Sequence, residues 1–566
     1  MSQNLAFADY AVFIIYFVVV STYGYMIYRK REKNEHDAKA YFLAEGTLTW
    51  WAIGASLIAS NISAEQFIGM SGEGFFLGVA VAAYEWIAAI ALIIIAIWFI
   101  PVYLKNKIYT MPQFLKTRYN ESTALIMAVF WLFLYVFVNL TSILYLGAVA
   151  INGLAGGEYL HAIMIGLAVF ALLISLGGMK VVAYTDVIQV AVLIIGGLVT
   201  SYIALTTVAH YFGFGQDAIA GFKVLMEKAP EHFKMIIPRP ESTVANATTS
   251  QLEINKYLTF PGMMSYLAGI WIINLNYWGC NQYITQRALG ADLQTARTGI
   301  LFAGMLKLLM PLIVMLPGIA AFVLYENGHL PQLVGGKDGA YSAMLTFLPT
   351  GLKGLSVAAL TAAIVASLAG KVNSISTIYT LDVHKKYIQK NATDRAQVNI
   401  GKYAVFAAMV LAVMFTWNDL LGIGGVGGFT YIQKYTGFIS PGVFAMFILG
   451  MFWKRTTGTA AIVGVISGFL LSVFFNEFAP AILGNETLLY TAWSNGKGGF
   501  EIPFHICMGL SFLFTMIIMI ALSFAGPKVN PKAFELDTEM FKVKPQTTVL
   551  IVLTLLIICA LYVKFW

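Results

Sequence analysis

Five ionisable side chains lie inside stretches that are otherwise apolar: Glu65, Glu85, Asp186, Lys307 and Lys371. A charged group at the centre of a bilayer costs at least ~2.5 kcal/mol, so each needs a partner or a task. Helix-to-helix ion pairing that fixes a bundle accounts for a single residue of this kind. Five of them, beside two polar interruptions of apolar runs, point instead to a hydrated pathway. The first interruption is Ala59-Ser60-Asn61-Ile62-Ser63-Ala64-Glu65-Gln66 and the second is Asn274-Leu275-Asn276-Tyr277-Trp278-Gly279. Where a membrane helix loses its regular backbone, carbonyls and amides are released toward a cavity, and interrupted helices at matching places in two halves point to an inverted-repeat transporter. The chemistry expected is noncovalent: capture and release of a small polar solute and an ion.

The elements that must position these groups follow from composition. Of 566 residues 59% are hydrophobic and 11% charged, against about 25% charged in soluble domains. Many apolar runs reach the ~20 residues that a helix needs to cross ~30 Å of hydrocarbon. The net charge of +7 is spread over short loops instead of one face, which makes it topological and not a nucleic-acid footprint. Cys280, Cys507 and Cys559 lie in or beside apolar runs without metal-ligand spacing, so neither a disulfide framework nor a zinc site is expected. Met1 to Asp9 has no positive region or small-residue cleavage site, and the first apolar run is expected to stay as a helix.

An all-α integral membrane protein of about fourteen transmembrane helices is predicted, near 8–28, 50–69, 76–103, 123–152, 160–178, 183–209, 263–283, 298–325, 353–380, 397–416, 428–452, 457–478, 502–525 and 549–565. The cluster Arg29, Lys30, Arg31 and Lys33 marks the cytoplasmic side. Alternate loops then carry Lys105, Lys107, Lys116, Arg118, Arg287, Arg297, Lys385, Lys386, Lys390, Arg395, Lys454, Arg455, Lys528 and Lys532, as that orientation requires. The exception is 210–262, polar and holding Lys223, Lys228, Lys234 and Arg239, where a surface helix covering the outer face is expected. An even helix count puts both termini outside a cell membrane. The chain divides as one membrane domain into a leading helix and cytoplasmic loop (1–49), a first repeat (50–209), the outer segment (210–262), a second repeat (263–452) and three trailing helices (453–566).

Other chemistries find little support. Gly422-Ile423-Gly424-Gly425-Val426-Gly427 matches a dinucleotide-binding pattern literally, but no strand precedes it and a membrane helix comes after it, so a flexible joint is expected. No H-E-x-x-H, nucleophile elbow or Cys/His cluster appears, and the protein is not expected to be an enzyme. A channel would show a continuous polar stripe in place of two interrupted helices.

The segment from Leu57 to Met70 with Tyr84-Glu85-Trp86 resembles the sodium/sugar cotransporters of the solute:sodium symporter family. Further stretches carry the resemblance: Val138-Asn139-Leu140-Thr141-Ser142, Tyr184-Thr185-Asp186-Val187-Ile188-Gln189, Tyr277-Trp278-Gly279-Cys280-Asn281-Gln282-Tyr283, Asn373-Ser374-Ile375-Ser376-Thr377 and Tyr431-Ile432-Gln433. The resemblance implies a five-plus-five inverted repeat with broken first helices, one leading and three trailing helices, alternating access, and sodium as the co-transported ion. It implies that Gln66, Glu85, Asn274, Lys307 and Gln433 hydrogen-bond a monosaccharide. Tyr277 would stack on the ring as an inner gate helped by Asn61, while Met70, Tyr135 and Phe429 close the outer side. Read from chemistry alone, Glu85 and Lys307 can neutralise one another in an empty site. Ala88, Asn276 and Thr430 stand where galactose-binding members carry serine, tyrosine and glutamine. These changes remove one hydroxyl and open volume, so a modified or differently configured sugar fits as well as galactose or glucose.

For sodium, the resemblance implies carbonyls of Ala59, Ile62 and Ala363 and the hydroxyl of Ser367, with a second hydroxyl lost at Ala366. Lys371, one turn beyond Ser367, stands where the galactose transporters have methionine. An ammonium ~6 Å from a sodium ion costs ~3 kcal/mol at an effective dielectric of about 20. Three arrangements are open: Asp186 or Glu65 pairs with Lys371 and sodium still binds; the ammonium replaces sodium in a uniporter or proton-linked carrier; or the lysine reaches a vestibule and takes no part in coupling. A sugar sensor on the same scaffold is a further alternative. Beyond lipid and solute no protein or nucleic-acid partner is implied.

Overall fold

The computed structural model describes residues 6–29, 48–154, 158–330, 333, 336–420 and 428–566. The Gly422 to Gly427 run and the basic residues Lys30, Arg31 and Lys33 lie outside the described residues. Among the described residues the regular structure is helical apart from one hairpin, Trp493–Ser494 antiparallel to Phe500–Glu501, and a bridge between Glu486 and Thr491. Among the described residues ten helices are long and apolar enough to cross a membrane, and an eleventh is the pair Gln251–Leu267 and Gly269–Cys280, bent by 77°.

Fourteen is therefore not reached by continuous helices of crossing length among the described residues. Two of the expected spans hold Leu160–Ser175 and Ser440–Phe452, of 16 and 13 residues, too short at 1.5 Å per residue to cross ~30 Å alone. The run near 50–69 is divided at Ile62, and its second part continues as helix past residue 70. The turn before the next span comes at Gly78, whose φ of +74° an L side chain resists.

Packing groups the chain into two compact units, one made of Met1–Gly78, Leu125–Phe233 and Gln282–Ile432 and the other of Val79–Ala124, Lys234–Asn281 and Gln433–Trp566. The first unit is built around Leu352–Thr377, which is rich in apolar and small residues and buried along nearly its whole length. Met179–Tyr211, Leu160–Ser175, Phe7–Arg29 and Trp50–Asn61 pack against it. Its N-terminus is held by Asp9, which accepts the amide N–H groups of Gly351 at 2.7 Å and Gly354 at 2.8 Å. A carboxylate there satisfies orphan donors and complements the positive end of the helix dipole, tying the leading helix to the central one. Elsewhere in this unit Leu316–Glu326 crosses Ser71–Leu77 so closely that a Cβ at Gly318 would collide with the Ser71 carbonyl.

The second unit centres on Gly269–Cys280, packed by Ala83–Ile94, Ser440–Phe452 and Phe504–Phe524. Gly269 has no side chain to hold off His505, whose Cα would lie 2.7 Å from a Cβ placed there. His505 Nε2 and the Tyr84 hydroxyl are 2.7 Å apart, so a buried polar pair is satisfied locally. Arg118, expected as a loop cation, is buried and donates to the carbonyls of Gly450, Trp453 and Thr456 at 2.7, 3.0 and 3.1 Å. Its guanidinium caps the C-terminal end of Ser440–Phe452, where unpaired carbonyls gather. The segment 210–262 forms two short helices, Ala218–Lys228 and Gln251–Thr259, where one was expected.

Candidate functional site

The first break is a rerouting of two hydrogen bonds. Helix Trp50–Asn61 stops because Ile62 adopts extended torsions, φ −81° and ψ 115°. In an unbroken helix the Ser63 N–H would reach the Ala59 carbonyl and the Gln66 N–H the Ile62 carbonyl. Here the Ser63 N–H goes to Gln66 Oε1 at 2.9 Å and the Gln66 N–H to the Ser63 carbonyl at 3.1 Å. Ser63 and Gln66 thus act as one half of a capping box that restarts the helix, and the carbonyls of Ala59 and Ile62 lose their helical donors. All of Ala59, Ile62, Ala363 and Ser367 are buried, and the Ser367 hydroxyl donates to the Ser60 carbonyl at 3.1 Å. Oxygens in this setting suit a hard cation. The helix resumes as a π-helical turn, Glu65–Met70, a geometry common at functional sites.

In this unit Lys307 donates to Asn61 Oδ1, so an ammonium sits directly on the broken segment. Lys371 donates to Ser367 Oγ at 2.9 Å and stands 4.5 Å from the centre of the Tyr283 ring. Asp186 is occupied elsewhere: Ser56 donates to its Oδ2 at 2.5 Å, and Arg287 Nη2 lies 3.7 Å from the same oxygen. Arg287 Nε also donates to Ser56 Oγ at 2.7 Å, which closes a buried triangle. Of the two carboxylates considered for Lys371, Asp186 is taken by Arg287, and Glu65 is the acid within electrostatic reach of Lys371. Phe429 rests on Gly69, where a Cβ would come 2.5 Å from its own, and this places it beside buried Met70.

The second break lies later in the chain than expected. Asn274 to Gly279 is continuous helix: the Asn274 amide bonds back to the Ile270 carbonyl at 2.9 Å and Asn276 donates to Ser440 Oγ at 3.1 Å. Polar side chains satisfied within the helix or by a neighbour do not interrupt it. The backbone becomes extended at Asn281, φ −94° and ψ 130°, and Gln282–Leu289 comes next. The Gln282 N–H, an orphan donor at that helix start, is accepted by the Tyr135 hydroxyl at 3.1 Å. Tyr135 itself opens a second π-helical turn, Tyr135–Leu140.

All eight residues of Gln282–Leu289 are buried, although Gln282, Thr285, Gln286 and Arg287 are polar. Gln286 receives the Ser374 hydroxyl at 3.3 Å and donates to Thr377 at 3.0 Å, binding this helix to the central one. Arg287 was expected in an inner loop; with 1% of its surface exposed it is a core residue of the first unit. Its signal in the sequence was the density of polar residues directly after Asn281. In the second unit Glu85 and Asn274 are buried, Gln433 and Tyr277 are half-buried, and Tyr277 meets Trp278 edge to face at 5.2 Å. Ala88 and Asn276 are also buried there, while Thr430 has only its backbone described.

Comparison with known proteins agrees with this geometry. Residues 41–468 match the family model described as sodium:solute symporter family. The sodium/glucose cotransporter of Vibrio parahaemolyticus is 39% identical over all of this chain and 99% of its own length. Sodium/myo-inositol cotransporter 2 of Mus musculus is 33% identical over 82% of this chain and 69% of its own. Among solved structures, a Na+-coupled sialic acid symporter in a substrate-bound outward-open state shares the fold with a TM-score of 0.74 at 19% identity, over 93% of this chain and 100% of that one. A nucleobase-cation-symport-1 family transporter reaches 0.50 at 14% identity, over 87% and 96%. With a helix broken beside buried hydroxyl and ammonium groups, and a family match over most of its length, this chain belongs to the sodium:solute symporter family and is a multi-pass membrane transporter that couples a solute to Na+.

Proposed function

We propose that the solute is a monosaccharide or a close polyol relative, moved by sodium-coupled symport with alternating access. The named relatives of highest identity carry glucose or myo-inositol in their descriptions, which is the chemical class that the polar set in this chain suits. Gln66, Glu85, Asn274, Lys307 and Gln433 are proposed contacts of the solute hydroxyls. Each charged hydrogen bond is worth about 1.5–3 kcal/mol. Gln66 Oε1 is committed to Ser63, so its amide NH2 is the group offered to the sugar. Tyr277 is assigned the role of aromatic inner gate, helped by Asn61, and Met70, Tyr135 and Phe429 that of outer closure.

Sodium is held by the carbonyls of Ala59, Ile62 and Ala363 and the Ser367 hydroxyl. The observation that carries this reading is the diversion of the Ser63 and Gln66 N–H groups, which leaves oxygens without helical donors beside a buried hydroxyl. We further propose an arrangement of fourteen spans with repeats at 50–209 and 263–452 flanked by 1–49, 210–262 and 453–566, inserted in the cell membrane with both termini outside. Uptake of labelled glucose, galactose and myo-inositol into proteoliposomes, with and without an inward sodium gradient, tests the function. Accumulation of at least one that needs the gradient is expected; equal uptake in both conditions for every solute would overturn the coupling.

A further inference from the structure

The cation that touches the proposed sodium position belongs to the protein. Lys371 is 1% exposed, its ammonium donates to Ser367 Oγ at 2.9 Å, and that hydroxyl donates onward to the Ser60 carbonyl at 3.1 Å. With its proton given to Ser60 and one lone pair taken by Lys371, the hydroxyl has a single lone pair left for an ion. The preceding residue, Ala366, has no hydroxyl, so no second one substitutes at that turn. The ammonium already has a second partner. It stands over the Tyr283 ring, 4.5 Å from its centre, in a cation–π contact made at the same time as the Ser367 bond. The nearby Glu65 carboxylate attracts it, while the Arg287 guanidinium repels it.

Resting on the sodium position proposed above, we infer that the Lys371 ammonium is a tethered competitor of the transported ion: it bonds the Ser367 hydroxyl while the site is empty and gives up that bond, still held over the face of Tyr283, when sodium binds. The four-carbon stem allows such a movement without displacing the helix. Two unit charges on one hydroxyl repel strongly in a buried site, so occupancy is exclusive. The lysine has two consequences. Sodium binds more weakly than it would with an apolar residue at 371, and the ion-free protein keeps a positive partner on the Ser367 hydroxyl.

The test is equilibrium binding of radioactive sodium to the purified full chain, with Lys371→Met, Lys371→Gln and Ser367→Ala as variants. Removing the ammonium is expected to lower the half-saturating sodium concentration by about tenfold or more. Ser367→Ala weakens binding in either background. A gain in affinity cannot come from misfolding, and Lys371→Gln keeps length and polarity should the methionine variant be unstable. If sodium binds and Ser367→Ala abolishes it while both Lys371 variants leave it within twofold, the competitor is refuted and the ion position stands. If binding in every background is indifferent to Ser367→Ala, the ion position itself is wrong and the inference falls with it.

Discussion

The two breaks look alike in the chain and differ in how the cations beside them are matched. At Ile62 the diverted donors leave an excess of acceptors, and the groups drawn to that segment are cationic: Lys307 on Asn61, and Lys371 on Ser367 beside Ser60. At Asn281 the Gln282 N–H is likewise diverted, here to a tyrosine hydroxyl, and the Trp278 carbonyl loses its helical donor. The helix beyond carries its own cation, Arg287, already matched by Asp186 and Ser56. A broken helix is thus not by itself an ion site. What separates the two is the fate of the nearby cations: at the first break the ammonium groups rest on the neutral oxygens of Asn61 and Ser367, while past the second the guanidinium is matched by Asp186 and Ser56, brought in from other helices.

The sharpest way to break this contrast is to unbalance the second region. Arg287→Met leaves the Asp186 carboxylate buried against Ser56 alone, and an uncompensated buried charge costs about 3–5 kcal/mol. A large loss of thermal stability of the purified protein is expected, tracked by size-exclusion fluorescence after heating. Adding Asp186→Asn should recover part of it, because the burden is the stranded charge. If Arg287→Met melts within two degrees of the parent, the triangle contributes nothing and the second region is not the structural one.

At the first break the same logic predicts a functional defect of smaller energy. Asn61→Ala removes the amide oxygen that Lys307 meets, a charged hydrogen bond worth about 1.5–3 kcal/mol. Because Lys307 and Asn61 are both proposed near the solute, the half-saturating sugar concentration should rise roughly tenfold in uptake assays, with less effect on melting than Arg287→Met. An unchanged half-saturation would remove Lys307 and Asn61 from the site. Tyr135→Phe comes next: deleting the acceptor of the Gln282 N–H is expected to cost about 1 kcal/mol, seen as a modest fall in melting temperature.

The sequence disclosed the first break and misplaced the second for one reason. Asn61, Ser63, Glu65 and Gln66 interrupt an apolar run with groups that compete for backbone bonds, and the helix does yield there. Asn274 and Asn276 give the same composition signal, but one bonds back within its own helix and the other finds Ser440, a partner remote in the chain. The placement of charge was similarly half legible. Glu65, Asp186, Lys307 and Lys371 were visible as ions in apolar runs, whereas Arg287 and Arg118 were read as loop cations. Their partners, Asp186 and the carbonyls at the C-terminal end of Ser440–Phe452, come together only through tertiary packing. Asp9 escaped notice because a carboxylate near a chain start is usually solvated, and only the fold brings it to the Gly351 and Gly354 amides.

The smallest effect concerns the far end of the helix beyond the second break. After Gln282–Leu289 the chain turns at Asp292, which caps Leu293–Val314 by accepting the N–H groups of Gln294 at 3.0 Å and Thr295 at 3.1 Å. Its other oxygen accepts the Thr295 hydroxyl at 2.5 Å. That hydroxyl first, and the backbone donors after it, hold the Asp292 carboxyl below its ordinary value. A depressed folded value means that the contribution to stability is complete above the unfolded pKa of about 3.9 and disappears as pH falls through the lowered one. Asp292→Ala should therefore cost about 0.5–1 kcal/mol near neutral pH, as for other exposed caps. Asp292→Asn, which keeps an acceptor without the charge, should cost less. The difference in melting temperature between the parent and Asp292→Asn should shrink as the buffer is taken from neutral toward about pH 3. A difference that is constant across that range would show that the charge adds nothing to the cap, and that the arm beyond the second break is anchored by the Arg287 triangle and the Gln286 bonds alone.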